Sequence, residues 1–182
     1  LHQLESDDQT VNDLFSEVIQ TGYLFQETIR QHPELNRLNS SCINTLRLDT
    51  FLNRDGKVEI ISGHLRTSFN NHHVDNISSG GCAVGIDFAT GKLEGLGYMS
   101  LQDGGVRQPG EHPITHTVFH DFTIPYFEQA RQMVIQVAGY VPNMRMVGWD
   151  VAIGESGPVL VEGNSDYDLA GTDTFCNGAR SN

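Results

Sequence analysis

The sequence predicts an α+β fold, in which an antiparallel sheet built from hairpins packs against a few helices. Strand-like stretches outnumber helical ones, and successive strands are joined by short turns, which makes each pair a hairpin. Strands and helices do not alternate along the chain, so a doubly wound parallel sheet is disfavoured. The chain has no internal repeat, linker or low-complexity tract, and residues 1–182 are therefore predicted to form a single lobe.

The first predicted elements are a helix over residues 8–20 and a short strand over residues 23–29. Apolar residues recur at helical spacing in the first stretch, and Gly22 ends it. These apolar residues are Val11, Leu14, Phe15 and Val18. The second stretch, YLFQETI, is typical of a short buried strand. Pro33 interrupts the polar segment that follows, which we expect to be a loop or a single turn.

Three hairpins form the predicted sheet. They span residues 43–69, 82–101 and 145–164, and they turn at NRDGK, ATGK and GESGP. In the second arm of the first hairpin, alternation predicts that one face carries Val58, Ile60 and Ser62. The same alternation predicts that the opposite face carries Glu59, Ile61 and Gly63.

The segments between the hairpins differ in character. Residues 70–81 are polar and rich in glycine, which predicts a loop. Residues 102–125 contain three prolines and no clear period, which predicts a long connecting segment without regular secondary structure. Residues 126–140 have the period of an amphipathic helix. Its predicted inner face consists of Phe127, Ala130, Met133, Val134 and Val137. The tail, from about residue 168, is expected to be frayed.

Composition restricts the classes of partner. The net charge of −12 argues against nucleic acid, because neutralising phosphates needs a basic face. It does not argue against a nucleotide held with Mg²⁺, since that ion needs carboxylates. No stretch approaches the roughly 20 apolar residues of a membrane span. The three cysteines, Cys42, Cys82 and Cys176, match neither a disulfide framework nor a C-x-x-C zinc site, which predicts a cytoplasmic protein.

The strongest functional pattern lies in the last hairpin, GWDVAIGESGPVLVEGN. Glu162 and Asn164 are two residues apart, so their side chains leave the same face of the sheet. Asp150 lies twelve residues before Glu162 and falls roughly opposite it across the turn. Hard oxygen ligands of this kind suit Mg²⁺. The alternative is a solvated hairpin face that carries two acids by chance.

GWDVAIGESGPVLVEGN resembles the final hairpin of ATP-grasp enzymes. Other segments resemble the same superfamily in the same order: YLFQETI, INTLRL, GHLRTSF, VDNISSGG and HPITHTVFHDFTIP. The ordered set covers residues from about 10 to 170 and is most similar to the sugar-transfer-associated ATP-grasp family. The resemblance implies the C-terminal lobe of an ATP-dependent carboxylate ligase that forms an acylphosphate intermediate. It implies ATP and Mg²⁺, with Mn²⁺ as an alternative ion, bound through Asp150, Glu162 and Asn164.

The resemblance also implies the nucleotide contacts. The backbone of Gln26, Glu27, Thr28 and Ile29 resembles the hinge that binds the adenine edge, and Glu34 lies where an acid contacts the ribose. Arg66 in GHLRTSF is expected to contact the phosphates and to stabilise the charge that develops during catalysis. Arg47 in NTLRL is a weaker phosphate candidate, because a structural ion pair explains it equally well. Asn76, in the polar loop, is a further nucleotide candidate, and a plain turn explains it as well.

The chain departs from the family pattern in two ways. The lysines that reach ATP in such enzymes come from a preceding lobe, whereas Lys57 and Lys92 here flank hairpin turns. After Asn164 the chain reads SDYDL, without the proline and glycine common in relatives. We therefore expect a C-terminal portion that needs a missing N-terminal lobe, acting on small-molecule carboxylate and nucleophile substrates linked to cell-surface polysaccharide synthesis.

Two alternatives remain open from the residues. The first is a non-catalytic nucleotide- or sugar-binding module that keeps the fold without the chemistry. The second is a zinc site at His112, His116 and His120, which are spaced by four. Pro113 disfavours the helix that would align them, and on a strand they would spread over about 26 Å, so the zinc site is disfavoured.

Overall fold

The computed structural model describes residues 12–13, 15–16, 18, 26–69, 81–100, 106–141 and 143–165. In the stretch predicted as the first helix, the described residues are helical, and the Ser16 hydroxyl donates to the Asn12 carbonyl at 2.8 Å. Phe15 is 61% exposed there. Val11, Leu14 and residues 23–25 of the predicted strand lie outside the described residues, as does the tail from residue 166.

One antiparallel sheet dominates the fold and confirms the predicted α+β class. Its strands are β1 (Thr45–Leu52), β2 (Val58–Ser68), β3 (Gly81–Asp87), β4 (Lys92–Ser100), β5 (Val106–Arg107), β6 (Met146–Gly154) and β7 (Gly157–Asn164). The spatial order is β5-β4-β3-β2-β1-β6-β7. The three predicted hairpins form β1–β2, β3–β4 and β6–β7. The first and third lie side by side because β1 pairs with β6.

The helices are α1 (Pro33–Asn36), a 3-10 helix (Phe119–Asp121) and α2 (Phe127–Ala138). The single turn of α1 agrees with the prediction for the polar segment around Pro33. Residues 26–29 are not a strand, and that part of the prediction is wrong. Among the described residues from 26 to 32, Gln31 alone forms an isolated bridge, to Gly154 at the end of β6, because the chain then enters α1 at Pro33.

A bulge in the first hairpin corrects the predicted faces of β2. Asp49 pairs with Ser62, but the next residue, Thr50, pairs with Ile60, so Ile61 is an extra residue. Ile60 therefore packs against the core together with Val58. The hydroxyl of Ser62 donates to the Asp49 carboxylate at 2.5 Å on the opposite face. The predicted grouping of Val58, Ile60 and Ser62 on one face is wrong for Ser62.

The apolar core lies between one face of the sheet and α2. Leu46, Leu48 and Val151 are fully buried on the strands, and Ala130 and Val134 are fully buried on the helix. The predicted inner face of α2 is confirmed, since Phe127 is buried as well and Met133 and Val137 are partly buried against the core. Within the described residues, no helix is both long enough and apolar enough to cross a membrane.

Trp149 fixes the position of β7 against the core. Its indole N–H donates to the Thr50 hydroxyl at 2.8 Å, and its cross-strand neighbour on β7 is Gly163. A Cβ at Gly163 would lie 2.6 Å from Cζ3 of Trp149, so the strand can approach the ring this closely only with glycine. The indole thereby places the two residues that flank Gly163, Glu162 and Asn164, on the face away from the core.

Candidate functional site

The face of the sheet opposite the core is polar across its central strands. We call it the polar face, and it consists of cross-strand rows that run from β2 through β1 and β6 to β7. The outer row contains Arg66, Thr45, Ala152 and Val159. The middle row contains His64, Arg47, Asp150 and Glu162. The inner row contains Ser62, Asp49, Gly148 and Asn164.

The carboxylates of the middle row face each other across the β6–β7 hairpin. Asp150 pairs with Glu162 and Gly148 pairs with Asn164, so the expected opposition of Asp150 and Glu162 is present. The register shifts between Asp150 and Val151, so the two acids stand opposite each other although they are twelve positions apart in sequence. The Asn164 amide donates to Oε1 of Glu162 at 3.1 Å. Three oxygen-bearing side chains therefore share one corner of the polar face.

Two arginines hold the Asp150 carboxylate. Nε of Arg47 donates to Oδ1 at 2.6 Å, and a terminal nitrogen of Arg47 donates to Oδ2 at 3.0 Å. A terminal nitrogen of Arg66 lies 3.0 Å from the same Oδ2. The side chain of Asp150 is 3% exposed, and those of Arg47 and Arg66 are 14% and 15% exposed. The fork of Arg47 thus makes a bidentate pair with a nearly buried carboxylate.

The charges of this cluster stabilise one another. Burial by itself raises the pKa of Asp150, but the hydrogen bond from Arg47 and the charges of Arg66 and Arg47 outweigh it, so the pKa lies below its usual range. Burial by itself lowers the pKa of Arg47, but the hydrogen bond to Asp150 and the nearby carboxylates outweigh it, so the pKa is raised. Asp150 and Arg47 are therefore ionised together throughout the physiological range.

His64 is the neutral member of the middle row. Burial, together with the positive charges of Arg47 and Arg66, lowers its pKa to about 3, although Asp150 acts in the opposite direction. The ring is therefore uncharged at neutral pH. A neutral imidazole adds hydrogen-bonding atoms to the polar face without adding to the positive charge of the two arginines.

Arg66 and Asp49 are each held by a neighbouring hydroxyl. Nε and a terminal nitrogen of Arg66 donate to the Thr45 hydroxyl at 3.0 Å and 2.8 Å. The fully buried Asp49 accepts from Ser62, and its charge acts on Arg47. The prediction singled out neither Asp49 nor His64. The alternation in TLRLDT and the two-residue step from His64 to Arg66 were the signals that could have found them.

A cleft of about 470 Å³ adjoins the outer row. One wall is the predicted adenine-binding stretch, represented by Glu27, Thr28 and Ile29, and the other is the β6–β7 turn. Val159 lines this cleft and also belongs to the outer row, so the cleft opens beside the polar face. Gln26 is described and exposed, but it is not part of this lining.

The structure does not bring Glu34 to this cleft. The carboxylate of Glu34 forms an ion pair with Arg37 at 2.7 Å, one turn later in the chain. Both residues line a separate depression of about 750 Å³ beside residues 115–118. Asn76, the other loop candidate, lies outside the described residues.

The three histidines spaced by four do not form a common site. His112 is fully buried, its Nε2 lies 2.9 Å from the Ser68 carbonyl, and its Nδ1 accepts from two backbone N–H groups. His116 lies 2.9 Å from Glu111, and His120 lies 3.2 Å from Asp121. Within the described residues, no group of three or more histidine, cysteine, aspartate or glutamate side chains could hold a metal ion.

The corner with Asp150, Glu162 and Asn164 still fits a hard divalent cation. Its donors are two carboxylates and an amide oxygen, the ligand type that Mg²⁺ selects. Glu162 is exposed and pairs with Asp150 across the hairpin, and Oδ1 of Asp150 accepts from Nε of Arg47. A carboxylate oxygen has two lone pairs, so Oδ1 can keep the arginine and also contact a cation.

Comparison with known proteins gives a family match over almost the whole chain. The family model described as "Sugar-transfer associated ATP-grasp" matches residues 9–179. No curated protein and no solved structure matches the chain.

Proposed function

The chain belongs to the sugar-transfer associated ATP-grasp family, and from this premise we propose that the polar face binds Mg·ATP for an ATP-dependent carboxylate ligation. The order of chemical groups along the polar face carries the proposal. The cleft beside Ile29 comes first, the outer row with Arg66 follows, and the middle row with Asp150 and Glu162 comes next. A nucleotide has the same order: an apolar base, then anionic phosphates, then the metal bound to them.

The cleft is the proposed base site. The backbone of residues 26–29 offers N–H and C=O groups to the edge of an adenine, and Val159 offers an apolar surface to its ring. Among the described residues, the backbone hydrogen bonds of this segment to the hairpin begin at Arg30, whose carbonyl accepts from Glu155. The groups before it are therefore candidates for the ligand.

The arginines are the proposed phosphate ligands. Arg66 is the stronger candidate because it lies in the row nearest the cleft, and Arg47 follows it one row further along. A guanidinium matches phosphate oxygens in the same planar manner as it matches the Asp150 carboxylate. Binding of the triphosphate would therefore transfer arginine N–H groups from Asp150 to phosphate oxygens, which frees Asp150 for the metal.

Asp150, Glu162 and Asn164 are the proposed holders of Mg²⁺, with Mn²⁺ as an alternative. When bound, the metal neutralises phosphate charge and polarises the phosphoryl group. Arg66 and Arg47 contribute by orienting the phosphates and by stabilising the charge that develops on them. The neutral His64 adds no repulsion toward the arginines as they move.

The proposed reaction joins a carboxylate to a nucleophile. A carboxylate oxygen attacks the γ-phosphorus, and ADP leaves. An amine or another nucleophile then attacks the acylphosphate carbon, loses a proton and displaces phosphate. We propose sugar-linked small molecules as substrates, in the synthesis of cell-surface polysaccharide in the cytoplasm. Lys57 and Lys92 lie at hairpin turns, so we also propose that a lysine-bearing lobe completes the grip on ATP.

One observation favours a second candidate, a nucleotide- or sugar-binding module without chemistry. Both oxygens of Asp150 accept hydrogen bonds from Arg47, and Oδ2 also contacts Arg66. If these ion pairs do not open, the cluster is a structural element that keeps the sheet together. The two candidates differ in whether Mg²⁺ is required for nucleotide binding.

The deciding experiment is calorimetric titration of ATP with and without Mg²⁺ into the wild-type chain and into Asp150→Asn and Glu162→Gln. We expect Mg²⁺-dependent binding in the wild type and a loss of at least about tenfold in affinity in each variant, or about 1.4 kcal/mol. Glu59→Gln is the matched control, because Glu59 is an exposed acid on β2 whose partner is Lys57. Nucleotide binding that does not require Mg²⁺ and keeps its affinity in both variants would support the non-catalytic module instead.

A further inference from the structure

A buried network of amide side chains lies directly behind the proposed base site. Its centre is Gln31, whose Oε1 accepts from the backbone N–H of Asn44 at 2.6 Å and from the Asn44 amide at 2.9 Å. Nε2 of Gln31 lies 2.9 Å from Oδ1 of Asn36 and 3.0 Å from the Asn39 carbonyl. It also lies 3.2 Å from the Cys42 carbonyl. One amide thus contacts four residues of the following loop.

The network continues to both strands that carry the arginines. Asn44 is fully buried and precedes Thr45 and Arg47 at the start of β1, and its amide also donates to the Asn39 carbonyl at 2.8 Å. The Asn39 amide donates to the carbonyl of Ser68 at 2.7 Å, at the end of β2 and two residues after Arg66. A continuous path of hydrogen bonds therefore joins Gln31 to Asn44, next to Thr45, and to Ser68, two residues after Arg66.

The segment before Gln31 has few other attachments. Among the residues that the structure describes, one backbone hydrogen bond joins the segment itself to the β6–β7 hairpin, through Arg30, and a second lies just after Gln31, at His32. The His32 N–H donates to the Ile153 carbonyl at 2.8 Å, and the Glu155 N–H donates to the Arg30 carbonyl at 3.2 Å. In contrast, β1 is paired on both sides over almost its whole length, and β2 is paired with β1 and, over His64–Ser68, also with β3.

We propose that Gln31 and Asn44 are positioning residues that fix the backbone of residues 26–30 against the phosphate-binding rows, so that the cleft selects adenine. This inference rests on the proposed function. The network acts through the backbone: Gln31 follows the segment directly, and its side chain ties it to the start of β1. Adenine and guanine present different donor and acceptor patterns on their edges, so only a backbone held in one register discriminates between them.

The effect of removing Gln31 should fall on the base rather than on the phosphates. The ladders of β1 and β2 hold Arg47 and Arg66 without help from Gln31, so inorganic triphosphate should bind almost as before. The segment at residues 26–30 would lose its side-chain anchor and adopt several registers. Affinity for ATP should then fall, and the preference for ATP over GTP should fall with it.

The test compares ATP, GTP and inorganic triphosphate, each with Mg²⁺, in calorimetric titrations of wild type and Gln31→Leu. We expect ATP affinity to fall about tenfold, which is about 1.4 kcal/mol. Triphosphate affinity should stay within about twofold of wild type, or about 0.4 kcal/mol. Thr90→Val is the control, because it removes a side-chain hydrogen bond to Asp87 in the β3–β4 turn and touches neither Gln31 nor the cleft. Its ATP-to-GTP ratio should equal that of wild type.

A milder variant covers the case in which Gln31→Leu does not fold. Asn36→Ala removes one acceptor of Gln31 from an exposed position, so it should fold and should lower the ATP-to-GTP ratio in the same direction. Equal ratios in wild type and in the folded Gln31 or Asn36 variant would overturn the positioning role. Loss of ATP and triphosphate binding to the same extent would also overturn it. Failure of wild type to bind ATP at all would overturn the proposed function, and this inference with it.

Discussion

The two faces of strand β1 are built on opposite principles. On one face Leu46 and Leu48 are fully buried against apolar neighbours. The other face carries residues that alternate with these leucines along the strand: Thr45, Arg47 and Asp49. They are nearly as well buried, but each has a polar or charged side chain. One strand of eight residues therefore separates an apolar core from a network of charges.

The difference lies in how each face tolerates change. Apolar burial is non-directional, so a lost methyl group costs its transfer free energy and the cavity that remains. A buried charge depends on particular partners, and loss of one partner leaves the others uncompensated. The polar face therefore contributes less to stability than its many contacts suggest, and it is the face that a charged ligand can reorganise.

The largest effect is expected from removing the centre of the charge cluster. Asp150→Ala would leave Arg47 and Arg66 close together with their shared carboxylate missing. We expect a loss of about 3–5 kcal/mol in the free energy of unfolding, as for other buried pairs that lose one partner. Urea denaturation at neutral pH measures it. A loss below about 1 kcal/mol, the value of a surface ion pair, would mean that water reaches the cluster.

A triple variant separates stability from function. Replacing Asp150 with Leu and both Arg47 and Arg66 with Met removes these three charges together, while Asp49, whose charge acts on Arg47, keeps its hydrogen bond from Ser62. Buried ion clusters replaced by apolar groups are often no less stable, so most of the loss in Asp150→Ala should be recovered. Binding of Mg·ATP should stay absent, since no phosphate or metal ligand returns. A triple variant as unstable as Asp150→Ala would show that the charges themselves stabilise the fold.

The matching change on the apolar face is Leu46→Ala. Leu46 is fully buried, and its cross-strand neighbours are Leu65 and Val151. A loss of about 2–5 kcal/mol is expected from the transfer and cavity terms, with a typical value near the middle of that range. Nucleotide affinity of the folded fraction should stay within about twofold of wild type. A large loss of nucleotide affinity in fully folded Leu46→Ala would contradict the claim that the apolar face stabilises the fold without contributing to nucleotide binding.

The sequence predicted the sheet well because each hairpin is encoded locally. Short glycine-containing turns and alternating residues identified β1–β2, β3–β4 and β6–β7. Pairing of β1 with β6 is a long-range contact that no local pattern encodes. The bulge opposite Asp49 and Thr50 was missed because an extra residue looks like ordinary alternation until its partner strand is known. Residues 26–29 were read as a strand because their composition permits one, whereas tertiary contacts decide otherwise.

The candidate site was predictable only where its residues are close along one hairpin. The opposition of Asp150 and Glu162 follows from a spacing of twelve and a single turn. The ion pair of Asp150 with Arg47 joins residues 103 positions apart, so spacing could not reveal it. His64 and Asp49 were passed over because one polar residue in a strand is usually solvated. Their burial becomes visible only once β1 is known to lie between β2 and β6.

The smallest of the expected effects is a pH dependence that belongs to the polar face. Burial, together with the charges of Arg47 and Arg66, lowers the pKa of His64 to about 3. In the unfolded chain a histidine has a pKa of about 6.5. As the pH falls below that value, His64 binds a proton in the unfolded chain but not in the folded chain. The free energy of unfolding therefore decreases by about 1.4 kcal/mol per pH unit. Between about pH 6.5 and 4.5 the loss due to His64 is about 2–3 kcal/mol.

Urea denaturation over this range in wild type and His64→Gln measures the contribution. In the variant, the slope of the unfolding free energy against pH should be smaller by the contribution of one proton, which is about 1.4 kcal/mol per pH unit. This difference does not depend on the absolute stability of the variant. Asp150 does not interfere, because its pKa is lowered and the stability that it contributes is lost only at more acidic pH. Gln132→Ala, which removes no titratable group from an exposed position of α2, is the control and should keep the wild-type slope. If His64→Gln also kept that slope, the imidazole would be protonated inside the fold, and Arg47 and Arg66 would face a third positive charge.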